Sequence, residues 1–102
     1  MEKSKYSWII TNDYIGNGEA NGTIGPSNGW TREEIDNCPN IEKFKMYDDD
    51  DELYYSGIIA YSSPSLMGSE LGFAPLDDFG MPNAGCTYIK YWNSKREIWE
   101  VL

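Results

Sequence analysis

An α+β fold in a single domain, an antiparallel β-sheet with one short helix, is predicted by three observations. The apolar runs are short, alternate with polar residues, and are separated by turn residues. Only one stretch, near residues 31–38, carries a helix-start signature. The chain has 102 residues, a common size for one hydrophobic core.

The first strand is read at Tyr6 to Thr11 (YSWIIT), rich in β-branched and aromatic residues and followed by the polar pair Asn12-Asp13. Residues 17–28 (NGEANGTIGPSN) are glycine-rich with one proline, a composition that predicts a long loop. Thr31-Arg32-Glu33-Glu34 then fits a capping box, with Trp30 before it as a staple residue. A helix of about two turns is expected to start there and to stop by Cys38-Pro39.

From Ile41 the period returns to two. Phe44 and Met46 alternate with Lys43, Lys45 and Tyr47, while Leu53, Tyr55 and Ile59 alternate with Tyr54, Ser56 and Ile58. The polar residues between these two runs make a hairpin whose turn is Asp48-Asp49-Asp50-Asp51-Glu52. Residues 62–69 (SSPSLMGS) read as a flexible insertion, and residues 73–83 (FAPLDDFGMPN) as a structured irregular segment. Two last strands are expected at Cys86 to Trp92 and Glu97 to Leu102, joined by Asn93-Ser94-Lys95-Arg96.

Composition narrows the function. Hydrophobic residues make up 40% and aromatics 15%, which is too much apolar material for a disordered chain despite a mean hydropathy of −0.58. The formal net charge is −9 and the pI about 4.2, so a phosphate backbone is repelled at long range and direct nucleic-acid binding is not expected. Residues 46–89 contain no Lys or Arg, and hold the turn carboxylates together with Glu70, Asp77 and Asp78. Cys38 and Cys86 are too few for a disulfide scaffold, and the N-terminus MEKSKYSWII has neither an apolar signal core nor a membrane span. A cytoplasmic protein with free thiols and no membrane partner is expected, and the sequon Asn21-Gly22-Thr23 is then a chance match.

The chain has no histidine, which removes the usual general base and the commonest zinc ligand. Gly16, Gly18 and Gly22 miss the dinucleotide-binding spacing, and no phosphate-cradling Gly-Lys-Ser/Thr follows. No catalytic residue, cofactor or metal ligand is therefore assigned, and a non-enzymatic protein is expected. Asp48, Asp50 and Glu52 imitate the start of a calcium loop, but Leu53 and Ile59 stand where glycine and glutamate are needed. Asp77 and Asp78 are open to two readings: turn residues, or part of a small-ligand or divalent-metal site with the Gly-rich loop and Trp30.

The acidic run is likewise read in two ways. It can be a solubilising turn, or a surface that imitates spaced nucleic-acid charge and occupies a basic groove on a protein. In the second reading Tyr54 and Tyr55, with Tyr47, supply desolvated anchors beside Asp48 to Glu52, with Asp77 and Asp78 in support.

The segments KFKMYDDDDELYYSG (Lys43 to Gly57) and FAPLDDFGMPNAGCTYIKYW (Phe73 to Trp92), and more faintly WIITNDYI with GTIGP, resemble a family of small, mostly uncharacterised bacterial proteins. The resemblance implies a shared fold and transfers no catalytic residue. The chain departs from it in one extra acidic turn residue and in SSPSLMGS. In general character it is also similar to phage-encoded anti-defence inhibitors of the anti-CRISPR type. The favoured expectation is a DNA-mimicking inhibitor of a basic nuclease or DNA-binding complex. The alternative is the small-ligand or metal site, and a third is a homo-oligomer formed through strand edges.

Overall fold

The structure is a computed structural model and describes residues 3–102. Among the described residues six strands form one antiparallel sheet: β1 (Tyr6–Asp13), β2 (Ile24–Gly25), β3 (Ile41–Tyr47), β4 (Leu53–Tyr61), β5 (Tyr88–Asn93) and β6 (Ile98–Val101). Their order is β2-β1-β4-β3-β5-β6, with every neighbouring pair antiparallel. With the short helix α1 (Arg32–Asp36), this is the α+β architecture that the alternating pattern predicts.

The β3–β4 hairpin lies at the centre because both of its strands alternate cleanly. Phe44 and Met46 of β3, and Tyr55, Ile59 and Tyr61 of β4, all project to one buried face. Trp8 and Ile10 of β1 and Ile89 and Tyr91 of β5 extend the same face. Gly57 stands opposite Phe44, where an added Cβ would lie 2.5 Å from the ring and 2.1 Å from the Ile9 carbonyl. A larger residue has no room there.

A coiled layer covers this face. It consists of 3₁₀ turns at Pro64–Leu66 and Glu70–Phe73, a wide π-turn at Leu76–Gly80, and one turn of helix, α2 (Met81–Ala84). Pro82 has no N–H to donate four residues back, and the Met81 N–H reaches the Leu76 carbonyl five residues back, so the coil widens. Gly85 ends α2 with φ 76°, a left-handed cap. Ala74, Leu76 and Cys86 close the core, with Leu66, Leu71 and Phe79 packed against it. The segment 62–69, expected to be flexible, is held by Leu66 in this layer and by the Gly68 N–H on the Glu42 carboxylate at 3.3 Å.

The other face is covered at one end only. The Thr31 capping box forms as predicted, and α1 seats Ile35 against Ile9 and Ala60. The helix is a single turn and a half because Asn37 ends it just before Cys38-Pro39. Beside it, the buried Ser7 hydroxyl donates to the Gly25 carbonyl at 2.8 Å and accepts the Trp30 N–H at 3.0 Å. The glycine-rich stretch is not one long loop. Asp13 extends β1 beyond Thr11, its carboxylate accepts the N–H groups of Ile15, Gly16 and Ala20, and Ile24–Gly25 returns as β2.

Candidate protein-binding site

The acidic run closes the central hairpin, and its own first residue organises it. One Asp48 carboxylate oxygen accepts the N–H groups of Asp50 and Glu52, each at 2.9 Å, while the Asp51 N–H donates to the Asp48 carbonyl at 3.1 Å. Asp51 takes the left-handed conformation, φ 62°, which Asp tolerates better than most residues. Its carboxylate accepts a hydrogen bond from the Tyr88 hydroxyl on β5.

These contacts shift the titrating groups. Backbone hydrogen bonding from Glu52 is the largest cause that holds the Asp48 carboxyl below its ordinary value. The Tyr54 phenol is raised, first by its hydrogen bond to Asp48. The Tyr88 phenol is pushed up to about 12, first by its hydrogen bond to Asp51 and next by burial. Asp49, Asp50 and Glu52 are exposed, and among the described residues no ion pair involves any of the turn's carboxylates.

The aromatic neighbours divide between the two faces. Tyr47 stacks on Tyr88 with centroids 5.1 Å apart and planes 6° apart, on the open face beneath the turn. Tyr54 is half-buried. Tyr55 is not a surface anchor. It is 3% exposed, points into the core as β-alternation requires, meets Phe79 edge-on at 5.1 Å, and has its hydroxyl hydrogen-bonded by Asn83 at 3.1 Å.

Asp77 and Asp78 do not join the acidic turn either. Both are exposed on the π-turn, and Asp78 accepts the Trp8 indole N–H at 3.3 Å. Trp8 pairs with Ile59, six positions along β4 from Leu53, so this hydrogen bond ties Asp78 to a part of the sheet away from the turn. The small-ligand alternative is not assembled: Trp30 packs with Ile9 and Ile35 on one face, and Asp78 meets Trp8 on the other. A groove of about 330 Å³ does separate the glycine-rich turns from Phe79 and Asn83, but Asp77, Asp78 and Trp30 do not line it. Asp13 and Glu19 line it; burial pushes the Asp13 carboxyl up, but the N–H groups of Ala20, Gly16 and Ile15 together hold it below its ordinary value. Among the described residues no His, Cys, Asp or Glu group has metal-binding geometry, and no helix is long and apolar enough to cross a membrane.

Fold and turn together define an α+β protein whose central hairpin presents uncompensated carboxylates on an ordered tip. No protein-family model matches the chain, and no curated protein or solved structure does.

Proposed function

We propose that the protein is a non-enzymatic binding protein whose acidic tip docks a basic, nucleic-acid-binding protein, as an anti-defence inhibitor of the anti-CRISPR type would. One observation carries this reading: Asp48 satisfies the turn's backbone, so Asp49, Asp50 and Glu52 stay exposed on a loop already in place. A preordered tip loses less conformational entropy on docking than a flexible acidic tail does. Carboxylates facing a basic groove steer encounter and fix register. Tyr54 and the Tyr47–Tyr88 stack are the apolar neighbours within reach, and Asp77 and Asp78 fall outside this surface.

The test separates tip charge from tip structure. Asp49→Asn/Asp50→Asn/Glu52→Gln removes charge and leaves Asp48 to hold the turn. Immobilised wild type is expected to retain basic proteins from a bacterial lysate, to release them with salt or with duplex DNA, and to lose them in the variant. Retention of the same proteins by both forms, or indifference to competing DNA, would overturn the reading.

A further inference from the structure

The sheet face that α1 leaves open has a composition opposite to that of the rest of the chain. Lys43, Lys45 and Tyr47 of β3, Tyr88, Lys90 and Trp92 of β5, and Trp99 of β6 share it, because their sequence neighbours Phe44, Met46, Ile89 and Tyr91 point into the core. The two carboxylates of these strands, Glu42 and Glu100, belong to the other side: Glu42 accepts from Gly68 of the covering layer, and Glu100 stands opposite Tyr91. A chain of net charge −9 thus builds one face whose strand residues are lysines and aromatic rings, met by an acid at its turn end, where Asp51 accepts from the Tyr88 hydroxyl.

The groups are arranged in register. Lys45 pairs with Lys90, Tyr47 with Tyr88, and Trp92 with Trp99. The Lys45 ammonium sits 4.3 Å from the Trp99 ring centroid and the Lys90 ammonium 5.0 Å from that of Tyr47. The Trp92 and Trp99 centroids are 5.5 Å apart. A groove of about 240 Å³ runs beside them between Lys43, Lys45, Trp99 and Ser56.

We infer that this open face of β3, β5 and β6 is a platform for a short single-stranded nucleic-acid segment, with bases on the aromatic rings and phosphates on Lys43, Lys45 and Lys90. Charge complementarity demands an anion, and the rings choose among anions. An acidic peptide would use the lysines alone, whereas an unpaired base offers a π-face to every ring. From the Tyr47–Tyr88 pair to the Trp92–Trp99 pair is four residues, about 13 Å, which suits the two or three bases that an open sheet holds. The acidic turn does not forbid this. It meets the face at one corner, where Asp51 accepts from the Tyr88 hydroxyl, while the Trp92–Trp99 end lies about 13 Å away along β5, farther than the screening length of about 8 Å at physiological salt.

The inference stands apart from the tip's role, and one variant separates them. A short fluorescein-labelled oligothymidylate is titrated with wild-type protein, read by anisotropy and by quenching of tryptophan emission. Binding is expected with a slope of log affinity against log salt near −2, as three phosphate contacts give. Lys45→Gln/Lys90→Gln, which removes both charges and keeps a polar side chain, is expected to weaken binding about tenfold and to bring the slope near −0.7. The Asp49→Asn/Asp50→Asn/Glu52→Gln variant is expected to bind the oligonucleotide more tightly while losing basic proteins. Absence of binding at low salt, equal affinity for a polyglutamate peptide, or an unchanged Lys45→Gln/Lys90→Gln variant would each overturn the inference.

Discussion

Asp48 and Asp49 are neighbours in sequence with opposite uses. The first spends its carboxylate on two backbone N–H groups and the second spends nothing. Asp48, like Asp13 under the glycine-rich turns, is held below its ordinary value in the folded state. A depressed carboxyl adds stability that is present above the unfolded pKa of about 3.9 and is lost as pH falls through the lower folded value. The thermal midpoint is therefore expected to decline below about pH 4, and Asp13→Asn to lower it at neutral pH and to flatten the acid limb. An acid limb unchanged in that variant would show that Asp13 does not contribute it. The run of acids was visible in the sequence, but its internal division of labour was not, because which carboxylate caps a turn depends on the turn's backbone geometry. Tyr54 and Tyr55 were both read as anchors, although the alternation already set Tyr55 with Leu53 and Ile59 on the face that proves to be the core.

At the scale of the element, legibility tracks how local the cause is. The capping box at Thr31 and the alternation in β3 and β4 are short-range signals, and α1 and the central hairpin form where those signals lie. The coil over the core was read only as irregular, since Pro75, Pro82 and its glycines suit no regular element and the π-turn is set by packing on Met46 and Tyr55. The two residues of β2 were missed because a strand so short has no period. Gly57 makes the packing argument testable. Gly57→Ala drives a methyl into the Ile9 carbonyl and the Phe44 ring, and urea unfolding is expected to show a loss of roughly 1–3 kcal/mol. A loss well under that would mean that β1 and β4 can part without penalty.

For the molecule as a whole, the sheet order segregates charge. The acidic tip ends the central hairpin, and the lysine face spans its β3 strand and the two strands beyond. No segment reveals that face alone, because Lys45 and Lys90 become neighbours only when β3 pairs with β5. The order has a kinetic consequence as well. Of the ladders joining the central four strands, only β3–β4 connects residues close in the chain, while β1–β4 and β3–β5 wait on distant segments. Nucleation then runs through a turn that gathers like charges before any flanking strand arrives to support it. Neutralising Asp49 and Asp50 is expected to speed refolding and leave unfolding nearly unchanged, a shift confined to the folding limb of the chevron. A change confined to the unfolding limb would place the hairpin's closure after the barrier. If the shift appears as expected, the charge that lets the tip meet a partner also makes the newborn chain slower to find its shape.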